Sequence, residues 1–312
     1  MIQIDLITGF LGAGKTTFIK KYANYLLECG KRIAILENDF GAVNVDMLLL
    51  QDIVGDNCEL EMIAGGCDKD CHYRRMKTKL ISMGMRGFDR VLIEPSGIFD
   101  VDEFFDILHE EPLDNWYEIG NVIAIVDAKL EQDLSKESQY LLASQTANAG
   151  AIILSRSQEA SGEDIVATVS YLNGMMEQFH CKRRFENAIL DKDWNNLTAQ
   201  DFEEILHCGY VSESLEKLWF EQKDAFQSLY FMNMRMSEQE LRAKAERLMA
   251  DTECGNIFRI KGFMQVADNQ WIELNATKEA ITIKPIQAGQ DVLIVIGEKL
   301  NQERIEAFMI SG

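Results

Sequence analysis

The chain has 312 residues, 47% of them hydrophobic and 26% charged, a balance that excludes a disordered or collagen-like polypeptide and a length that suits about two domains. Its formal net charge of −20 argues against a nucleic-acid backbone or an anionic membrane surface as partner. Seven scattered cysteines are no small disulfide scaffold, and with no leader pattern and no apolar run of about 18 residues the sequence predicts a reduced, cytoplasmic protein whose cysteines are free thiols or metal ligands.

The first half alternates strand and helix patterns. Short apolar runs rich in β-branched residues at 2–7, 32–36, 90–93, 122–126 and 151–154 read as buried parallel strands. Between the first two, Phe18, Ile19, Tyr22, Leu26 and Leu27 share one helical face, with Gly30 as its stop. After the last, Ile165, Val169, Leu172, Met176 and Phe179 repeat at helical spacing behind an N-cap at Ser161. Alternating βα units predict an α/β fold, a doubly wound and mostly parallel sheet, over residues 1–185. From 186 to 236 the periodicity fades, which suggests peripheral helices and a connector. A smaller α+β domain follows over 237–312. Ser237 and Glu240 form a capping-box pair before a helix, residues 258–266 alternate ahead of an Asp268-Asn269 turn, 291–296 reads as a strand, and 303–309 as a closing helix.

Between the first strand and the first helix lies Gly9-Phe10-Leu11-Gly12-Ala13-Gly14-Lys15-Thr16, which fits G-x-x-x-x-G-K-[ST] in full. Glycines let the backbone wrap a phosphate, so the N–H groups of Gly12, Ala13, Gly14, Lys15, Thr16 and Thr17 converge on it, and the helix start adds the positive end of a dipole. Lys15 reaches the β- and γ-phosphates, and the Thr16 hydroxyl is a magnesium ligand. The bland alternative is an ordinary glycine turn.

Strand 90–93 ends in Glu94, then Pro95-Ser96-Gly97. A carboxylate at the carboxyl end of a strand is placed to hold magnesium through water or to position an attacking water, and the Gly97 N–H is placed to meet the γ-phosphate. The competing reading is a solvated loop acid. Glu37-Asn38-Asp39-Phe40-Gly41 ends another strand. Asp39 is preferred over Glu37 as the second metal-side carboxylate, against simple turn chemistry.

Segments 9–17 (GFLGAGKTT), 38–46 (NDFGAVNVD), 93–97 (IEPSG) and 122–128 (VIAIVDA) together resemble the CobW-like family of P-loop GTPases, relatives of the GTPases that insert nickel into urease and hydrogenase. Segments 257–266 (IFRIKGFMQV) and 293–300 (LIVIGEKL) resemble that family's small C-terminal domain. The resemblance implies a slow, magnesium-dependent GTPase that delivers a metal or assists a metallocofactor enzyme, with a purine nucleotide and a client metalloprotein as partners.

Two segments depart from the family pattern. Where the family carries Cys-x-Cys-Cys, this chain has Cys67-Asp68-Lys69-Asp70-Cys71-His72. On a helix Cys67 and Cys71 share a face, and His72 or Cys58 would complete a set suited to zinc, cobalt or nickel; free thiols and a redox pair are the alternatives. Where the family reads guanine with Asn-Lys-x-Asp, this chain has Ser155-Arg156-Ser157-Gln158. An amide replaces the carboxylate that accepts two guanine hydrogen bonds, while Arg156 retains the ability to stack on a purine; GTP is favoured, with ATP open. If nucleotide hydrolysis reshapes the segments on either side of the cysteines, nucleotide state governs metal affinity. The rival readings are a nucleotide-switched binding module without a metal of its own, and a small-molecule kinase. His109, His180 and His207 read as structural or exposed, Cys29, Cys181, Cys208 and Cys254 as buried thiols, and 182–184 as a solvated basic face.

Overall fold

The computed structural model describes the chain except residues 11, 40–48, 65–68, 96–100, 187, 217, 219–226, 268–269, 279, 287–288, 290 and 311–312, and describes the backbone alone at 38, 39, 64, 69–72 and 310. Two compact units divide it, Met1–Leu218 and Trp219–Gly312.

In the first unit the strands are β1 (Ile2–Gly9), β2 (Ile33–Asp39), β3 (Cys58–Ala64), β4 (Arg90–Glu94), β5 (Tyr117–Asp127), β6 (Ala151–Ser155) and β7 (Ile189–Leu190). They form one sheet in the order β3-β2-β4-β1-β5-β6-β7, and every pairing is parallel. The helices are α1 (Lys15–Glu28), α2 (Lys69–Gly84), α3 (Val101–Leu108), α4 (Leu113–Trp116), α5 (Lys136–Ala147), α6 (Gly162–Gln178) and α7 (Ala199–Leu206). The doubly wound prediction holds because the central strands are apolar on both faces and need helices on each side.

Helix α1 buries Phe18, Ile19, Tyr22, Ala23 and Leu26, the predicted stripe with Leu27 at its margin. It stops at Gly30 (φ 73°), where Lys31 N–H donates to Leu26 O and Gly30 N–H to Leu27 O, closing the helix with a glycine that tolerates the left-handed turn. Helix α6 starts at Ser161, whose hydroxyl accepts from Asp164 N–H while the Asp164 carboxylate accepts from Ser161 N–H.

Strand β3 escapes a reading by hydrophobicity because it is an edge strand carrying Glu59 and Glu61. Arg32 and Arg86 hold Glu59, and Lys79 and Arg86 hold Glu61 at 2.6 and 2.7 Å. Charges on an edge also discourage pairing with a second sheet. The Lys79 ammonium, with Arg86, keeps the Glu61 carboxyl below its ordinary range.

The stretch 186–236, expected as a connector, divides between the units. Strand β7 extends the parallel sheet, and Phe202 of α7 stacks on Tyr25 of α1 with ring centroids 5.1 Å apart. Beyond α7, Gly209 N–H donates to Asn121 Oδ1 at 2.8 Å and Asn121 Nδ2 to Leu206 O at 3.1 Å. Asn121 also donates to the fully buried Asp5, which accepts from Tyr22 and pairs with Arg90. Burial raises the Asp5 carboxyl against the pull of Arg90. This network ties the end of α7 and Gly209 to β5 and β1, and a two-residue strand leaves no period for a sequence reading to find.

The second unit contains β8 (Gln227–Met232), α8 (Glu238–Ala250), β9 (Asn256–Ala267), β10 (Gln270–Ala276), β11 (Ile281–Ile286), β12 (Val292–Glu298) and α9 (Gln302–Ile310). Its sheet runs β11-β10-β9-β12-β8 with antiparallel neighbours. Leu241, Ala245 and Leu248 of α8 and Ile305 and Met309 of α9 share a core with Ile260, Met264, Leu274, Leu293 and Val295 of the sheet, the α+β arrangement expected. The Ser237–Glu240 capping box forms as predicted; the Asp268-Asn269 turn lies outside the described residues. No helix among the described residues is long and apolar enough to cross a membrane.

Candidate functional site

The loop between β1 and α1 begins at Gly9, the register partner of Ile125 on β5. A Cβ on Gly9 (φ 141°) would stand 2.2 Å from the Ile125 carbonyl oxygen, so only glycine ends β1 here. Ala13 N–H donates to Phe10 O at 3.1 Å, and Gly12 and Gly14 take positive φ of 79° and 102°. Helix α1 then starts from Gly14 with no side-chain cap and no acid in its first turn. The positive end of its dipole therefore points at the loop, where an anion is favoured.

Lys15 is buried, and its Nζ donates to the loop carbonyls of Gly9 at 3.1 Å and Phe10 at 3.5 Å. The ammonium therefore sits over the loop, where phosphate oxygens are stronger, charged acceptors. Thr16 Oγ1 donates to Glu94 Oε1 at 3.0 Å, which brings together the two residues expected to share magnesium. Thr17 is exposed in the first helical turn.

Glu94 closes β4 and is buried. Beside it on β2 its register partner is Glu37, buried as well. Register partners on neighbouring strands project to the same face, about 5 Å apart along the hydrogen-bonding direction. Glu37 is therefore a second buried carboxylate beside Glu94. Asp39 ends β2 in register with Ala64, and its side chain lies outside the described residues. The signal for Glu37 was present in the sequence: two acids two apart at one strand end, with only the register to separate them. A hydroxyl and two buried carboxylates are hard oxygen donors, and they fit magnesium.

Gly97 and Cys67 lie outside the described residues. Cys71 and His72 belong to the first turn of α2, and their side chains are likewise not described. Cys58 is separated from them. It opens β3, and α2 follows the far end of that strand, roughly 20 Å along it at about 3.3 Å per residue. Burial pushes the Cys58 thiol up to about 11, which suits a core residue and not a ligand shared with Cys71. No group of three His, Cys, Asp or Glu arranged for a metal ion occurs among the described residues. Of the four cysteines expected to be buried, Cys181 and Cys254 are, Cys208 is half-buried, and Cys29 is exposed at the end of α1.

On the other side of the loop, β5 ends in Asp127 and β6 in Ser155. Arg156 follows with φ 57° and its guanidinium pairs with Asp127, so the arginine expected to stack openly on a purine is anchored by a strand-end acid. Asp127 Oδ1 also accepts from Lys129 N–H at 3.0 Å. Gln158 and Glu159 are exposed, with Gln158 Nε2 3.4 Å from Glu159 Oε1. Sequence reasoning also missed Trp194, an isolated tryptophan in the weakly patterned stretch. Its Nε1 donates to Leu154 O at 2.9 Å, its ring meets Phe18 edge-on at 5.6 Å, and its rim lies 3.4 Å from where a Gly14 Cβ would be, with the Ser155 Cβ 3.7 Å from the same point. The hydroxyls of Thr8 and Ser155 are buried with no hydrogen-bond partner among the described residues, which leaves them for water or ligand.

A glycine loop, a basic side chain folded over it and a strand-end acid on the loop threonine, all at the carboxyl edge of a parallel sheet, define a P-loop nucleotide-binding domain. The chain belongs to the CobW/HypB/UreG family, whose nucleotide-binding domain matches residues 3–183; the cobalamin synthesis protein cobW C-terminal domain matches residues 226–310. Among similar proteins, the zinc chaperone YeiR of Escherichia coli is 32% identical over 164 residues, 52% of this chain and 49% of that protein. The chain thus spans about half the length of that relative. The zinc-regulated GTPase metalloprotein activator 1 of Schizosaccharomyces pombe is 23% identical over 359 residues, covering 100% of this chain and 85% of that protein. The crystal structure of zinc-bound YjiA GTPase from E. coli aligns with a TM-score of 0.36 at 20% identity, over 98% of this chain and 97% of that one.

Proposed function

We propose that this chain binds a purine nucleoside triphosphate with magnesium in the loop from Gly9 to Thr16, hydrolyses it slowly, and uses the cycle to deliver a transition metal to a client metalloprotein. The observation that carries the nucleotide half is the Thr16–Glu94 hydrogen bond beneath a loop over which Lys15 is already folded. Thr16, Glu94 and Glu37 would hold magnesium, which supplies charge neutralisation at the phosphates when bound. Lys15 and the amides of the loop bind and orient the phosphate chain, and Glu94 accepts a hydrogen bond from Thr16 or from water at the strand end.

The metal half is supported by the names of relatives, zinc chaperones and a zinc-regulated GTPase, and by Cys67, Cys71 and His72 between β3 and α2. Zinc is the favoured cargo, with cobalt and nickel as the other candidates. The changed cysteine spacing favours one second reading, a nucleotide-switched binding module with no metal site. Metal analysis of the purified chain separates them: stoichiometric zinc lost in the Cys67→Ser, Cys71→Ser double variant supports delivery, and its absence from the wild-type chain supports the module.

Thermal unfolding tests the nucleotide half. A ligand bound only by the folded state at a hundredfold excess over its Kd adds about 2.7 kcal/mol, so magnesium–GTP or magnesium–ATP raises the melting temperature of the wild-type chain. Lys15→Ala removes the rise. An unmoved wild-type midpoint, or an equal rise in the variant, overturns the reading.

A further inference from the structure

We propose that the nucleoside end of this site takes purines by their faces and does not select guanine, so that ATP binds about as well as GTP. The inference rests on the triphosphate reading above and specifies its substrate class.

The direction of the nucleotide follows from the loop. Thr16 faces Glu94 on β4, and Glu37 stands beyond it on β2. The terminal phosphate and its cation therefore belong on the β4 side of β1. A nucleotide threaded through the loop lays its nucleoside across the opposite side, over the ends of β5 and β6, where ligands of parallel sheets sit. That is where Trp194 and Ser155 close on Gly14.

Guanine offers two donors side by side, a ring N–H and an amino group, and a selective reader answers with a carboxylate that accepts both. Among the described residues, the acids on the segments at this end include Asp127, Glu159 and Asp193, the last accepting from Asn195 N–H within its own turn. Asp127 is engaged by the Arg156 guanidinium and the Lys129 amide, and Glu159 accepts from Gln158. The exposed side chain after the β6 end is Gln158, whose amide carries one acceptor and one donor. That pair matches the amino group and ring nitrogen of adenine and equally the carbonyl and ring N–H of guanine, so it favours neither base. Arg156, fixed by Asp127, keeps flat faces that stack on either purine.

Titration calorimetry of the full chain with magnesium–GTP and magnesium–ATP tests this. A site built to hydrogen-bond one base rejects the other by about 10⁴-fold or more; the expected Kd for ATP is instead no more than about tenfold above that for GTP. A larger GTP preference overturns the inference and leaves the triphosphate reading standing, whereas no binding of either nucleotide overturns that reading itself. Gln158→Asp supplies the missing paired acceptor on an exposed side chain and is expected to raise the GTP-over-ATP ratio by about tenfold or more. An unchanged ratio in that variant removes Gln158 from the role, and a fall in GTP affinity in Glu159→Gln identifies a guanine reader and overturns the proposal.

Discussion

The two ends of the nucleotide site are built on different principles. At the phosphate end the working groups come from consecutive residues or from register partners on neighbouring strands: Lys15 and Thr16 follow the loop, and Glu94 and Glu37 face each other across the β4–β2 pairing. All four are buried. At the end proposed for the nucleoside, Asp127, Arg156, Gln158 and Trp194 come from three separated segments, and all are partly or fully exposed. On the proposed reading, charge and geometry are fixed where the chemistry is shared by every triphosphate, and looser where the base would be chosen.

That contrast can be broken from the phosphate end first. Glu94→Gln keeps an oxygen to accept from Thr16 but loses the charge; phosphate release is expected to fall about 100-fold while the Kd for the triphosphate changes less than tenfold, the mark of a group that acts on the transition state. An equal loss in both quantities would assign Glu94 to binding alone. Gly9→Ala forces a Cβ to 2.2 Å from the Ile125 carbonyl oxygen and is expected to lower stability by about 2–3 kcal/mol, read by chemical denaturation of the nucleotide-free chain. A shift below about 0.5 kcal/mol would show that the loop has room to move.

The nucleoside end should respond more mildly. Trp194→Ala loosens the wall against Gly14 and is expected to weaken GTP and ATP equally, by about tenfold, with kcat little changed and Trp194→Phe restoring most of the affinity. Unequal losses would make the indole a base reader. The smallest effect lies outside the site, at the start of α7. Lys192 above all, with the Thr198 hydroxyl and amide, pulls the Asp201 carboxyl down to about 2 from its ordinary 3.8. A depressed folded-state value means stability that is present above about 3.8 and lost as the pH falls toward 2. Asp201→Asn should therefore cost about 1 kcal/mol or less at pH 7, and the gap to the wild type should close below pH 3. A gap independent of pH would mean that the charge is not its source.

Much of this was legible in the chain itself. The apolar runs gave the parallel strands, the α1 stripe and Gly30 gave that helix and its stop, and the loop motif stated its own chemistry, because each is local and periodic. The Ser237–Glu240 capping box and the Ser161 N-cap followed from local residue types, and the structure adds Asp164 as the partner of Ser161. Edge strand β3 was hidden by Glu59 and Glu61, whose partners Arg32, Lys79 and Arg86 are remote in sequence. Residues 186–236 read as peripheral helices and a connector because their contribution to the first unit is made through Trp194, Phe202 and the Asn121 network, single contacts that carry no period.

The sequence by itself determined that a phosphate cradle exists and that a parallel sheet carries it, since both depend on neighbours along the chain. Only the tertiary structure decided that Glu37 stands beside Glu94, that Cys58 sits at the wrong end of its strand to join Cys71, that Asp127 holds Arg156, and that an indole walls the loop. Strand register and side-chain pairing across segments are fixed by packing among residues far apart in sequence, so no local pattern encodes them.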